Sequence, residues 1–239
     1  MINLNLSVGP IIITPIFWFL AVAFVFSSFS FWRRLREDFK ENEIFEMTLL
    51  AAGLALILSR AVFIAVNYSA FGFSLVNWLT ANVGANFSLP AAFWGAFFAV
   101  NWRMKQLSRN RWEVLDCLVL PFLYFLLLGG LGSFLGTGHF LSLAYFTLGL
   151  GGILAFPFLK KNYRSFVWYK SGKTGFLFSF YSLWGSLALL VLAFFQTDNL
   201  YLNRLLFLIL FLFSAYFLYS RSEREIKEDL KGLFKRRKK

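Results

Sequence analysis

The stretch PIIITPIFWFLAVAFVFSSFSFWRRLREDFK, residues 10–40, decides how the rest of the chain is read. It carries no charge from Pro10 to Phe31, and then Arg33, Arg34, Arg36 and Lys40 follow closely. An α-helix needs roughly 20 mostly apolar residues to cross about 30 Å of hydrocarbon, and lysines and arginines gather on the cytoplasmic flank of such a helix. The run therefore predicts a membrane span whose C-terminal end is cytoplasmic. Nothing before Arg33 is basic, so the run lacks the charged leading segment of a cleavable signal peptide and is expected to be a retained helix.

The same pattern recurs outward from this stretch. Apolar runs bounded by charges or by polar and glycine clusters lie at residues 10–31, 44–66, 88–100, 114–135, 140–159, 175–195 and 200–219. The third is short, and either begins earlier, around Asn82, or is partly re-entrant. The basic residues sort by loop: 22 of the 24 follow the first, third, fifth and seventh runs, and the alternate loops, 67–87, 137–139 and 196–199, contain none. The expected fold is thus all-α and polytopic, with about seven transmembrane helices, the N-terminus outside and the C-terminus in the cytoplasm.

Composition supports this and excludes other classes. Of 239 residues, 59% are hydrophobic and 21% aromatic, more apolar surface than a water-soluble core of this size can bury. The net charge of +12 would suggest nucleic acid in a soluble chain, but here the loops account for it and no nucleic-acid partner is expected. Residues 1–220 make a transmembrane domain, and 221–239 a basic cytoplasmic tail. Within the tail Ile226, Leu230, Leu233 and Phe234 share one helical face, as in a helix lying on an anionic leaflet.

Few residues can carry chemistry. Cys117 is the only cysteine and His139 the only histidine, which leaves no disulfide framework and no multi-His or Cys-rich metal site, and no cofactor is expected. Ser-Gly-Lys-Thr at 171–174 mimics the end of a P-loop, but Val167 stands where that motif requires glycine. Arg60 lies about six residues, roughly 9 Å, inside the outer end of the second run. There it either snorkels to the interface or faces a cavity, a partner or an anionic ligand. Arg204 is within about a turn of the outer end of its run and is expected to snorkel. Gly129, Gly130, Gly132, Gly136 and Gly138 either allow close helix packing or open the backbone onto a polar cavity supplied by Ser133, Thr137 and His139. Asp116 opens the fourth run, where it caps the helix or pairs with Arg109 or Arg111.

Several motifs run in an order that resembles one family over nearly the whole chain. Ser7-Val8-Gly9-Pro10 is similar to an opening Ser-x-Gly-Pro. Leu58-Ser59-Arg60-Ala61 with Asn67-Tyr68 is similar to a second helix of Gly-Ala-Arg-Ile-Gly-Tyr leading to Tyr-Asn. Gly129-Gly130-Leu131-Gly132-Ser133-Phe134 lies on the fourth-helix signature Gly-Arg-x-Gly-Asn-Phe-x-Asn-Gly-Glu, and Gly175-Phe176-Leu177-Phe178 on the Gly-x-Leu-Phe of the penultimate helix. The chain thus resembles the prolipoprotein diacylglyceryl transferases, seven-span enzymes of the bacterial plasma (inner) membrane. The resemblance implies transfer of diacylglyceryl from phosphatidylglycerol to the lipobox cysteine of a prolipoprotein signal peptide. It would assign the lipid phosphate to Arg60, with Ser133 and Thr137 as donors in a cavity bordered by Gly129 and Gly132, and the base to His139. The chain departs from the pattern at the signature Arg (Gly130), both Asn (Ser133 and Gly136) and the Glu (Gly138). Pro90-Ala91-Ala92 replaces a His-Gly-Gly, Ile16 replaces a first-helix Tyr, and there is no arginine between Arg164 and Arg204. The expected function is therefore that of a divergent transferase, the alternatives being a non-catalytic relative that binds phosphatidylglycerol, another anionic lipid or a lipoprotein precursor, and a small transporter.

Overall fold

The computed structural model of the protein describes residues 6–8, 11–13, 15–68, 87–169, 171–195 and 201–224. Among these, seven α-helices run in order: α1 (Pro15–Leu35), α2 (Glu41–Val66), α3 (Leu89–Gln106), α4 (Arg111–Thr137), α5 (Phe140–Asn162), α6 (Phe176–Phe194) and α7 (Tyr201–Arg221), with a 3-10 turn at Tyr163–Ser165. All but α3 are long and apolar enough to cross a membrane, as expected of a polytopic membrane protein. Large side chains such as Leu154 and Phe194 stand outward, 69% and 65% exposed, a surface suited to hydrocarbon rather than water. Residues 225–239, which hold the expected amphipathic tail helix, lie outside the described residues.

Two boundaries differ from the sequence reading. A two-stranded antiparallel hairpin, β1 (Leu6–Val8) and β2 (Ile11–Ile13), precedes α1 with Val8 opposite Ile11, so the first span starts at Pro15 and not at residue 10, and the all-α expectation gains a short β element. Ile11, Ile12 and Ile13 are β-branched and favour extended backbone, whereas Pro15 suits the first helical position, where an N–H has no intrahelical partner. The third segment lengthens at its C-terminal end. It begins at Leu89, after the extended Ser88 and with Pro90 in its first turn, and continues past residue 100 through Arg103 and Lys105. Buried at Phe93, Phe97, Val100 and Met104, α3 is partly enclosed by its neighbours and does not need the unbroken apolar surface of a lipid-facing helix.

The helices pack chiefly as α1 on α4, α4 on α5, α2 on α3 and α6 on α7, with α3 and α4 joining the pairs. Aromatic rings make the joint. Phe93 of α3 meets Phe122 of α4 edge-on at 5.0 Å and stacks on Phe178 of α6 at 5.7 Å. Phe97, one turn on, stacks on Phe178 and meets Phe213 of α7 edge-on at 5.3 Å. Such pairs add about 0.5–1.5 kcal/mol each beyond the area they bury.

Where helices pair most closely, glycine sets the distance. A Cβ built at Gly95 of α3 would lie 2.5 Å from the Leu54 carbonyl oxygen of α2. Without a hydrophobic drive between helices in lipid, such close backbone contact is what holds a pair together. Gly95→Val is accordingly expected to destabilise the bundle by about 1–3 kcal/mol through overpacking, read as a lower melting temperature in detergent. Gly53→Ala, at a position with nothing within 4 Å, is expected to melt no lower than the parent.

Candidate functional site

Of the polar groups expected to form a cavity at the end of the fourth helix, Ser133 and Thr137 are bonded within a tight α4–α5 hairpin and His139 is exposed at its tip. α4 is unbroken to Thr137, Gly138 takes the left-handed C-cap conformation (φ 70°), and His139 stands at the N-cap of α5. The Ser133 hydroxyl lies 2.9 Å from that of Ser142 on α5, and the Thr137 hydroxyl donates to the Ser133 carbonyl at 2.8 Å. Thr137 Oγ1 also accepts the His139 backbone N–H at 3.3 Å, and His139 itself is exposed.

The glycines serve packing. A Cβ at Gly130 would meet the Phe146 nitrogen of α5 at 2.5 Å and the Ser142 carbonyl at 2.9 Å. One at Gly132 would meet Phe19 of α1 at 2.8 Å, and one at Gly129 would touch Leu20 at 3.4 Å. The two faces of this stretch are thus closed by α5 and α1. The alternative in which the backbone opens between Gly129 and Gly138 does not occur, because helical hydrogen bonding continues and neighbouring backbones fill the space.

Arg60 belongs to a different group. Half-buried on α2, its guanidinium stands 6.0 Å from the Phe63 ring and 5.9 Å from that of Phe87. Beside it the Ser59 carbonyl accepts the Ser88 N–H at 3.1 Å, which ties α2 to the start of α3, and the Ser88 hydroxyl donates to the Asn203 side chain of α7. Both side chains of that last bond are buried. Arg204 donates from Nε to the Ala193 carbonyl at 3.1 Å, lies over Phe194 and Tyr201, and so clasps the α6–α7 junction. The described contacts place Arg60 with α2, α3 and Phe87, and Ser133, Thr137 and His139 with α4 and α5.

Asp116 is a cap, but for another helix. Its carboxylate accepts the Gly175 N–H at 2.7 Å and the Phe178 N–H at 2.8 Å, so a side chain of α4 closes the N-terminus of α6. Gly175 adopts a φ of 94°, and a Cβ there would meet the Trp112 ring at 2.7 Å, which restricts the position to glycine. Arg221 and Arg34 are the cations whose charge reaches the carboxylate. Arg221 lies over Trp112 at 4.5 Å and Arg34 over Phe156 at 4.4 Å. The arginines considered as partners are engaged elsewhere: Arg109 donates to the Asp38 carbonyl and covers Phe39, and Arg111 covers Trp112.

The loop carrying Ser-Gly-Lys-Thr is an anchor. Tyr169 is fully buried against Phe176 and donates to the Lys173 carbonyl at 2.9 Å, and burial pushes its phenol above the ordinary value. Ser171 bonds the Arg221 carbonyl, and Lys173 pairs with Glu223. The loop follows a 3-10 turn rather than the strand a P-loop requires. Among the described residues no group of three His, Cys, Asp or Glu side chains is placed to hold a metal ion.

Sequence reading missed Ser88 and Asn203, although an asparagine three residues into an apolar run was a usable signal, and it missed the trans-capping role of Asp116, for which no local signal exists. Asp116→Ala strands two backbone N–H groups and is expected to cost on the order of 3 kcal/mol, with Asp116→Asn intermediate, both read as thermal melts in detergent. Neither the protein-family models nor the curated proteins compared with the chain match it.

Proposed function

We propose that the chain is a multi-pass protein of the bacterial plasma membrane, N-terminus outside and C-terminus cytoplasmic, that binds phosphatidylglycerol or another anionic lipid on a diacylglyceryl transferase-like scaffold without transferring it. The observation that carries this reading is the packing at Gly130. This is the position where the resemblance would put the signature arginine, and α5 backbone 2.5 Å from its missing Cβ leaves no room for one. The transferase reaction needs a cation on the lipid phosphate and a base that raises thiolate character at the acceptor cysteine. Removing one preorganised transition-state donor commonly costs about 3–4 kcal/mol. Arg60 remains, a cation set among Phe63 and Phe87 near the end of α2, where a lipid phosphate can be met at the interface.

Transfer itself is the second reading. The exposed His139, beside Thr137 at the tip of the α4–α5 hairpin, favours it as the one available base.

Native mass spectrometry of the protein from micelles containing phosphatidylglycerol checks the first reading: Arg60→Ala is expected to bind one lipid fewer per chain than the wild type, and equal retention would count against lipid binding at Arg60. Incubation with phosphatidylglycerol and a lipobox peptide is expected to give no thioether product; product formation that disappears in His139→Ala would establish transfer instead. The orientation is checked in a Cys117→Ser background, where a membrane-impermeant thiol reagent is expected to label His139→Cys from the outside of intact cells and to leave Lys105→Cys unlabelled.

A further inference from the structure

The described charges are unevenly distributed over the bundle. Except for Arg60, His139 and Arg204, the described ionisable residues other than tyrosine and cysteine lie toward the end that carries the α1–α2, α3–α4 and α5–α6 connections and the C-terminus of α7. At this end a groove of about 630 Å³ opens beside the C-terminal half of α3, lined among others by Phe98, Trp102, Lys105, Arg109 and Arg111. We propose that this groove binds an anionic phospholipid of the leaflet at this end, its phosphate held by Lys105, Arg109 and Arg111 and an acyl chain laid along Phe98 and Trp102.

Geometry and charge both point to this occupant. Phe98, Trp102 and Lys105 fall at i, i+4 and i+7 and share one face of α3, so the wall passes from apolar to basic toward the helix end. Phe98 and Trp102 are 52% and 55% exposed, and Lys105, Arg109 and Arg111 are exposed as well. A tryptophan just inside a cluster of lysine and arginine is the arrangement that matches acyl chain, glycerol and phosphate in succession. Among the described residues no acidic side chain lines the groove. Glu46 is engaged by Arg103 and Glu113 by Asn110, while Asp38 stands beside Arg109, which bonds its carbonyl. Arg109 is fixed by its bond to the Asp38 carbonyl and by the Phe39 ring, so one cation of the site is held in place before any ligand arrives. A free phosphate shares the headgroup chemistry but has no use for the aromatic wall, which favours the lipid. This site is separate from Arg60 and does not rest on it.

The full-length protein in micelles is exposed to phosphatidylglycerol, to phosphatidylcholine, and to phosphatidylglycerol with excess inorganic phosphate, and retained lipid is read by native mass spectrometry. Phosphatidylglycerol is expected to be retained several-fold over phosphatidylcholine and to survive inorganic phosphate. With retention counted as lipids bound per chain, the double variant Lys105→Gln with Arg111→Gln is expected to bind one lipid fewer than the wild type, Lys105→Arg to keep that lipid, and Phe98→Ala with Trp102→Ala to hold it several-fold less. Lys105 and Arg111 are exposed, so the charge variants are expected to melt like the parent, whereas Phe98 packs on Trp94 and Phe97, so the Phe98/Trp102 variant is compared well below its own melting temperature. Wild-type retention in the Lys105/Arg111 variant would overturn the site. Displacement by inorganic phosphate would overturn the lipid in favour of a soluble anion, and wild-type retention in the Phe98/Trp102 variant would overturn the acyl-chain contact along that wall. Failure of the Arg60 reading is distinguishable, because it shows as wild-type retention in Arg60→Ala and leaves the response of the groove variants unchanged.

Discussion

Hydrocarbon offers no hydrogen bond, and this constraint organises many of the polar groups inside the bundle. Ser27 of α1 donates to the carbonyl of Pro121, within α4, and Tyr181 of α6 donates to the Gly152 carbonyl of α5. Ser88 and Asn203 bond each other where the starts of α3 and α7 meet. Asp116 closes two backbone donors at the head of α6 that would otherwise stand bare. Each of these bonds runs between helices. The polar residues of this chain therefore fix which helices are neighbours, while the aromatic joint at Phe93, Phe97, Phe178 and Phe213 fills the space between them.

The same constraint explains the shape of the α4–α5 pair. Helices in lipid attract each other by close contact rather than by leaving water, so small residues bring their backbones together. Gly130 and Gly132 do this on two faces of α4, one toward α5 and one toward α1. A stretch that resembles the signature of a lipid-modifying enzyme is in this chain a packing device, and residues that might have lined a cavity, Ser133 and Thr137, bond within the hairpin. The two proposed lipid contacts lie instead toward the helix ends, Arg60 toward one and the Lys105–Arg111 groove at the other.

Much of this was legible residue by residue. The runs from 44 to 66 and from 114 to 135 lie within helices of the expected type because length and apolarity alone fix a span. The start of α1 was misplaced because Ile11, Ile12 and Ile13 are as hydrophobic in a strand as in a helix, and hydropathy does not tell the two apart. The end of α3 was misplaced because Asn101, Arg103 and Lys105 break the apolar run but not the helix, and Arg103 finds Glu46 on α2. The candidate site was legible as a list of residues. Its division into an Arg60 group and an α4–α5 group was not, since sequence order does not say which helix lies against which.

The sequence by itself determined the solvent, the places of the six long apolar helices and the sorting of basic residues by loop, because these depend on local composition against a layer of fixed thickness, whereas the seventh expected span, α3, is not long and apolar enough to cross. Only the tertiary structure decided that Asp116 caps α6 rather than its own helix, that Gly130 is sealed by Phe146, and that Phe98, Trp102, Lys105, Arg109 and Arg111 border one groove. Each of these depends on a distance between separate elements, and such distances are set by packing across the whole bundle, not by any segment alone.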